Sequence, residues 1–351
     1  MSYLFFKKIL PLIFAFSLVS CSQHCISQLD VNPPNLDSSS TFISPSKGED
    51  TLSEDPLYYY REHLESKIFT LKKIDEQNAI NYRFAFLTDL HWISNMKNSP
   101  SLLNEINKEY PMNKVVLGGD YVDKDYDDVN IPKSIMKDCA SIFSPFNYVG
   151  IVGNHDSNKN AVGNTERIPD TDIFNLINNS DHDRPYLFEF NEQIKLCSLY
   201  LNSSTGNFDD AEQKSDILKT LLTLDNSWYV VIFIHIIFDG TYSNNNESMI
   251  KPAGIEFFSF FSSIIDSVSC NFVGVFSGHS HLDHLDSGSY CFPVVTTMCD
   301  AIGVYNHDYN IYLRKKDTYT EQAFDIVQID FSNRKVFLTR IGAGSDRSYY
   351  F

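Results

Sequence analysis

The chain has 351 residues, is 43% hydrophobic and carries a formal net charge of −17 at pH 7. This length and apolar content suffice for a sizeable core in one large domain or two small ones. An acidic surface repels phosphate backbones, which argues against binding to a nucleic acid polymer. A small phosphorylated substrate stays compatible with this charge if metal ions supply positive charge locally.

The first 20 residues have the pattern of an export signal. A short basic region, MSYLFFKK, precedes an apolar stretch, ILPLIFAFSLVS, that is too short to span a membrane. The stretch ends at Leu18-Val-Ser-Cys21, which resembles the lipobox of bacterial lipoprotein signal peptides. We therefore predict a lipoprotein signal peptide over residues 1–20 and a lipid on Cys21 that anchors the exported protein in the bacterial cell envelope. An ordinary secretory signal is the alternative.

Residues 21–55 are predicted to form a flexible tether, because segments such as VNPPNLDSSS and SPSKGED cannot bury a core. The globular domain is predicted over residues 56–351. The seven cysteines of the chain include no CxxC pair, which argues against a thiolate zinc site. Disulfides are compatible with export, but their pairing cannot be read from the sequence.

Short apolar runs alternate with amphipathic stretches from about residue 56. Five runs are predicted to form strands buried on both faces: RFAFL at 83–87, KVVLG at 114–118, YVGIVG at 148–153, YVVIFI at 229–234 and FVGVFSG at 272–278. Helices are predicted at 101–110, 211–224 and 255–268, and a hairpin at 186–201. Because the last third of the chain has mainly strand patterns, this order predicts an α/β core with a second sheet.

Residue types that bind metals follow each of these five runs. They are Asp89 and His91, then Asp120 and Asp123, then Asn154, His155 and Asp156, then His235, and last His279 and His281. Any one of these clusters is weak evidence, because a short motif arises by chance and a lone strand-end histidine is commonly a core residue. Strand ends of an α/β sheet are where such folds place their sites. Five clusters in this order therefore predict a metal site.

The motifs DLH, GDYVD, GNHD, a strand-end histidine and GHSH together resemble those of the calcineurin-like metallophosphoesterase family, over roughly residues 82–300. The resemblance implies a four-layer α/β fold, in which a two-sheet β-sandwich is flanked by helices, with two metal ions at the strand ends. It implies one ion held by Asp89, His91 and His281, a second held by Asn154, His235 and His279, and Asp120 as the bridging ligand. It also implies that His155 faces the substrate.

The residue types suit that chemistry. Two cations about 3.5–4 Å apart can bind phosphoryl oxygens and lower the pKa of a water for in-line attack. A ligand set of nitrogen and oxygen favours two divalent or trivalent transition-metal ions, Mn, Fe or Zn. His155 is the candidate acid for the leaving oxygen, with Asp156 as the residue that orients it. For Asp156, and for Asp123 as a residue that orients a ligand, a loop-capping carboxylate is an equal alternative.

One branch of the family, the purple acid phosphatases, carries a tyrosine ligand where this chain has Asp123, which argues against that branch. We predict a metal-dependent phosphoric ester hydrolase acting on a phosphomonoester or a small phosphodiester. The alternative is a non-enzymatic, metal-containing envelope binding protein with the same fold. The substrate and the oligomeric state are not specified by the motifs. Arg340 and Arg347, in the C-terminal segment, either grip a phosphate or belong to a surface tail.

Overall fold

The computed structural model describes residues 57–91, 98–158, 167–242, 248–250, 252–300 and 314–351. The predicted signal peptide over 1–20, Cys21 and the predicted tether over 21–55 lie outside these residues. Among the helices that the structure describes, none has both the length and the apolar composition needed to cross a membrane. Export and lipid anchoring therefore remain predictions.

The described residues form helices and strands in the following order. A short 3-10 helix, Tyr58–Tyr60, leads into α1. The helices are α1 Arg61–Gln77, α2 Asn98–Glu109, α3 Asn130–Phe143, α4 Asp170–Asn178, α5 Ala211–Leu222 and α6 Pro252–Ile264. The strands are β1 Tyr82–Leu87, β2 Lys114–Leu117, β3 Tyr148–Gly150, β4 Leu187–Asn191, β5 Leu196–Leu201, β6 Tyr229–Ile234, β7 Phe238–Tyr242, β8 Ser248–Ile250, β9 Asn271–Ser277, β10 His284–Asp286, β11 Val294–Thr296, β12 Ala323–Asp330, β13 Lys335–Gly342 and β14 Arg347–Tyr350.

Two mixed sheets of six strands make up the centre of the described fold. The first sheet has the order β14-β13-β12-β1-β2-β3, and the second has the order β10-β11-β9-β6-β5-β4. In the first sheet β1, β2 and β3 are parallel, and in the second β5, β6, β9 and β11 are parallel. Within each sheet, the parallel strands have their carboxyl ends at the same edge.

The period-two alternation of each strand separates two cores. In β1, Phe84 and Phe86 face the second sheet, whereas Ala85 and Leu87 face the helices. A core between the sheets and a core on each outer face therefore give four layers, helix-sheet-sheet-helix. Helices α1 to α4 cover the first sheet, and α5 and α6 cover the second. The predicted α/β fold with a two-sheet sandwich flanked by helices is confirmed.

Buried positions on the helices recur at helical spacing. Phe257 and Phe261 of α6 lie four residues apart and are both fully buried against the second sheet. Burial of one such side chain stabilises the fold by about 1.5–3 kcal/mol. The predicted hairpin at 186–201 is also present, because β4 and β5 pair antiparallel. The cysteines among the described residues form no disulfide with one another: Cys139, Cys197, Cys270, Cys291 and Cys299.

Candidate metal centre

The ends of β1, β2, β3, β6 and β9 carry the predicted ligands to a single place. Asp89 and His91 follow β1, Asp120 follows β2, Asn154 follows β3, His235 follows β6, and His279 and His281 follow β9. The two sheets are in contact at this edge: His235 Nδ1, after β6 of the second sheet, lies 2.6 Å from the carbonyl oxygen of Gly118, after β2 of the first sheet. Six of these seven side chains form two groups in which the candidate ligand atoms all lie within 4.8 Å of one another.

The first group contains Asp89, His91 and His281. The Nε2 atoms of His91 and His281 lie 3.2 Å apart, and His281 Nε2 lies 3.2 Å from Asp89 Oδ1. On the far side of the His91 ring, Nδ1 lies 3.1 Å from the carbonyl oxygen of Val122. A carbonyl can only accept, so Nδ1 carries the hydrogen and the lone pair of Nε2 faces the group.

The second group contains Asp120, His235 and His279. His235 Nε2 lies 3.1 Å from Asp120 Oδ2, while its Nδ1 donates to the carbonyl of Gly118 across 2.6 Å. The two groups adjoin, because Asp89 Oδ1 is 4.0 Å from His235 Nε2. The arrangement therefore offers two neighbouring positions for cations, with carboxylate and imidazole donors at each.

Buried polar atoms without a well-formed hydrogen bond support this interpretation. Asp120 Oδ2, Asn154 Oδ1 and His235 Nε2 make none among the described residues, although Oδ2 and Nε2 are close. A buried polar atom left in this way is costly unless something else satisfies it. A cation bound between these atoms would do so, and their chemistry fits a transition-metal ion.

Burial and neighbouring carboxylates shift the pKa of each candidate histidine ligand. Burial lowers the pKa of both His91 and His279 to about 4, so both rings are neutral at pH 7. Burial also lowers the pKa of His235, but the Asp120 carboxylate outweighs it and raises that pKa to about 9. Asp89 likewise raises the pKa of His281 against the effect of burial. A metal ion at each group would take the place of these protons, since it binds the neutral ring.

The backbone at these positions is unusual. Five of the seven candidate ligands have a positive φ, between 41° and 65°: Asp89, His91, Asp120, His279 and His281. Residues other than glycine rarely adopt this left-handed conformation, and it persists only where the surroundings hold it. Neighbouring contacts do hold it here. For example, the carboxylate of Asp89 accepts the backbone N–H of His279 at 3.0 and 3.1 Å.

Two glycines permit the close approach of the loops. A Cβ on Gly278 would lie 1.9 Å from Thr88 Oγ1 and 2.5 Å from Asp89 Oδ2. A Cβ on Gly153 would lie 2.1 Å from the backbone nitrogen of Asp120. The glycines in GHSH and GNHD are therefore required by space around the candidate ligands.

His155 lies beside the second group. Its Nε2 is 4.0 Å from Asp120 Oδ2, its side chain is 28% exposed, and its ring contacts that of His91 edge-on with centroids 5.1 Å apart. The backbone N–H of His155 donates to Asp120 Oδ1 across 2.8 Å. The ring therefore lies next to the candidate ligands and is open to a molecule that enters from solvent.

Asp156 has a different environment from the one expected of a residue that orients His155. Its buried carboxylate accepts backbone N–H groups of Asp120, Tyr121, Val122 and Gly153, at 2.7 to 3.2 Å. Burial, followed by the charge of Asp120, raises the pKa of this carboxyl to about 7. The structure thus favours the loop-capping alternative: Asp156 ties the loop after β3 to the loop after β2.

Asp123 also acts within its own loop, because its Oδ1 accepts a hydrogen bond from the hydroxyl of Tyr126 across 2.5 Å.

Both predictions made for Arg340 and Arg347 in the C-terminal segment are wrong. Arg340 is fully buried and Arg347 belongs to β14, and both pair with the buried carboxylate of Asp325. They neither lie on a surface tail nor point a free guanidinium at a phosphate.

Two neighbours of the candidate ligands were missed in the sequence. Thr88 donates its hydroxyl to Asp89 Oδ2 across 2.8 Å, and its position next to Asp89 was the available signal. Cys299, 4% exposed, hydrogen-bonds with His281. Nothing in the sequence points to that cysteine, because 17 intervening residues separate it from His281 and only the fold brings them together.

Comparisons with known proteins agree with this architecture. A family model described as calcineurin-like phosphoesterase matches residues 82–283. A dimetal phosphatase from Danio rerio is similar in structure, with a TM-score of 0.53 and 10% identity over 78% of this chain and 99% of that chain. GAP50, described as the anchor in the inner membrane complex of Plasmodium, has a TM-score of 0.51 and 9% identity over 78% of this chain and 89% of that chain. At these identities the likeness shows the fold alone, and no curated protein matches the sequence.

Proposed function

The chain belongs to the calcineurin-like phosphoesterase family, and from that premise we propose that it is a metal-dependent hydrolase of a small phosphomonoester or phosphodiester. The observation that carries the proposal is the pair of adjoining donor groups at the strand ends. Their nitrogen and oxygen atoms suit Mn, Fe or Zn. Two such ions, when bound, supply Lewis acidity to a phosphoryl group and lower the pKa of an attacking water.

Asp120 is the residue assigned to both ions. Its Oδ1 is fixed by the backbone N–H of His155, and its Oδ2 faces His235. The carboxylate is buried within the second group, which adjoins the first, so its charge acts in a medium that screens it weakly. A single negative charge placed in this way reduces the repulsion between two neighbouring cations.

We assign His155 as the acid that protonates the leaving oxygen. It is more exposed than Asp89, Asp120 or His235, which are all buried, and its backbone is anchored to Asp120. An imidazole within reach of a leaving oxygen can donate a proton to it. A positioned acid of this kind contributes about 10²–10⁴-fold to turnover.

The proposal limits the substrate to a small molecule on grounds of charge. The net charge of −17 disfavours long polyanions. We assign the rim of the site to segments 157–170 and 239–251, which follow the candidate ligands after β3 and β6, and neither segment is strongly basic. Residues 159–166, 243–247 and 251 of these segments lie outside the described residues. The choice between monoester and diester therefore rests on experiment.

The alternative is a protein that keeps the fold for binding rather than hydrolysis. GAP50, a protein of similar fold, is described as an anchor, and this favours the alternative because an anchor binds and does not need to hydrolyse. The partly exposed imidazole of His155 beside both donor groups favours the enzyme, since a pure binding protein has no need of an acid for a leaving group.

Metal content and hydrolysis should be measured together. The purified protein should carry about two transition-metal ions per chain and, after reconstitution, should hydrolyse at least one member of a panel of substrates. The panel contains an aryl phosphate, a bis-aryl phosphodiester, cyclic nucleotides and nucleotide sugars. Asp120→Ala should lose both ions and all activity. Asp225→Ala, which changes a carboxylate in an exposed turn, should keep the two ions and the activity.

Each outcome has a distinct meaning. A metal-free preparation with full activity would contradict the metal centre. A protein that binds two ions but hydrolyses nothing in the panel would favour the binding protein instead. Hydrolysis that survives Asp120→Ala would overturn the assignment of that residue.

A further inference from the structure

A cluster of four charged side chains lies between the sheets, next to the loop that carries His279 and His281. It consists of Asp283, Asp325, Arg340 and Arg347, hereafter the arginine cluster. The exposed fraction is 0% for Arg340 and Asp325, 9% for Asp283 and 12% for Arg347. Two carboxylates and two guanidinium groups balance in charge, which is the condition for keeping such groups buried.

The contacts within the cluster connect three strands of the first sheet. Arg340 of β13 donates from Nε to Asp325 Oδ1 of β12 across 3.0 Å, and from Nη2 to Asp283. Arg347 of β14 donates from Nη2 to Asp325 Oδ2 across 2.5 Å. Asp325 also accepts the hydroxyl of Thr297 across 2.7 Å. Both guanidinium groups therefore bind carboxylates of the protein itself.

The same cluster holds the chain on the far side of His281. Asp283, two residues after His281, accepts the backbone N–H of Met298 as well as the guanidinium of Arg340. Arg347 Nη1 donates to the carbonyl of His284, at 3.3 Å. The segment that leaves His281 is thus fixed to the first sheet through two consecutive residues.

His281 needs such a fixed segment. Its φ of 57° is a left-handed conformation that a histidine adopts only when the surroundings over-determine it. On the other side of the loop, His279 is held by the carboxylate of Asp89, which accepts its backbone N–H. The contact between Asp89 and His279 holds the start of the loop, and the arginine cluster holds its end.

We propose that the arginine cluster is a positioning device that keeps His281 in place to receive the ion of the first group. The inference rests on the proposed function in taking His281 as a metal ligand. It goes beyond the family match, since Asp325, Arg340 and Arg347 all lie after residue 283, where that match ends. The strands β12 to β14 are then part of the support of the metal centre, as well as part of the sheet.

The test is a titration of metal-free protein with Mn²⁺ alone, followed by calorimetry. Arg347→Met should lower the affinity of one of the two sites by about 10–100-fold, the usual effect of removing a residue that orients a ligand. The second site should keep its affinity, because Asp120 and His235 make no contact with the cluster among the described residues. Arg347→Lys retains the charge but not the planar geometry and should show a smaller loss at the same site.

Lys114→Met is the matched control. Lys114 is 7% exposed and pairs with Glu189 across 2.9 Å, near the start of β2 and so at the end of that strand away from Asp120. This substitution breaks a partly buried ion pair, so it should lower the melting temperature while both Mn²⁺ affinities stay at the wild-type value. If Arg347→Met does not fold, Arg347→Lys takes its place in the comparison.

Wild-type affinity at both sites in Arg347→Met and Arg347→Lys would overturn the proposal. An equal loss in Lys114→Met would do the same, because it would reduce the effect to general destabilisation. A wild-type protein that binds none of Mn²⁺, Fe²⁺ and Zn²⁺ would instead refute the proposed function, and the inference would fall with it.

Discussion

At the scale of single residues, the candidate metal centre contains residues in the unfavourable left-handed conformation, and hydrogen bonds from neighbouring residues hold them there. Each left-handed residue other than glycine costs on the order of 1–3 kcal/mol. Asp120 has a φ of 55°, and its backbone N–H donates to Asp156, which also receives three neighbouring N–H groups. Asp156 therefore contributes to the centre by holding the loops and not by touching a substrate.

Substitution of the neighbours Asn154 and His155 should distinguish a metal ligand from the acid that protonates the leaving group. We expect His155→Ala to keep its metal ions and to lose about 10²–10⁴-fold in turnover on an ester with a poor leaving group. The loss should be much smaller for a nitrophenyl ester, because that oxygen leaves without help. Asn154→Ala should lose metal occupancy, and activity on both esters alike. Metal analysis and turnover on both esters provide the comparison.

If His155→Ala lost its metal ions, or lost equal activity on both esters, this histidine would be structural or a ligand. The proposed acid would then have to be sought elsewhere. Asn154→Ala serves as the internal control, since it alters the adjacent residue of the same loop.

At the scale of elements, α1 is joined to the C-terminal strands by polar contacts. His63 Nε2 accepts the backbone N–H of Gly342 across 2.9 Å, and the ring stacks on Tyr319 with centroids 4.7 Å apart. Burial, followed by the charge of Lys67, lowers the pKa of His63 from 6.5 to about 4, with Asp346 opposing the shift. The neutral ring is thus the form that the folded protein requires.

This shift predicts a pH dependence of stability with a defined sign. Because the unfolded chain protonates His63 at a higher pH than the folded chain, its contribution is complete above pH 6.5. It is lost as the pH falls to about 4. His63→Gln keeps an acceptor but does not titrate, so its free energy of unfolding should fall less over that range, by an amount on the order of 2–3 kcal/mol. Chemical denaturation at several pH values measures the difference.

The control for this prediction is His182→Gln, because His182 is exposed. Its stability should follow the wild-type pH profile. A His63→Gln protein with an unchanged profile would show that another group causes the acid sensitivity.

At the scale of the whole molecule, the predicted envelope anchor lies outside the described residues and stays a proposal. It depends on LVSC ahead of a Ser-, Pro- and Asn-rich segment. We expect the full chain to fractionate with membranes and a truncated protein that begins at residue 55 to stay in the supernatant. Cys21→Ser should block lipidation, which mass spectrometry of the mature N-terminus detects.

Cys25→Ser provides the matched control for the anchor, since it removes a cysteine four residues away. It should leave the lipid in place. Lipid on the mature Cys21→Ser protein would rule out the lipobox interpretation.

The central strands and the fold class could be predicted from local pattern. Short runs with apolar residues at consecutive positions predicted β1, β2, β3, β6 and β9, and the structure has all five. Helix α1 was not predicted individually, because only Leu64 and Leu71 are buried along it and its apolar stripe is narrow. In α3 the first turn contains Pro132, which a helix tolerates there but which obscures its start.

The sequence by itself also determined where the candidate ligands would meet, since polar residues after parallel strands reach one edge of a sheet. Only the tertiary structure decided the environment of Asp156, of Cys299, and of Arg340 and Arg347. Asp156 accepts N–H groups from a loop more than 30 residues earlier, and Arg340 pairs with Asp283 across 57 positions. Burial and pairing of a charge depend on which distant segments the fold brings together, and local pattern does not carry that information.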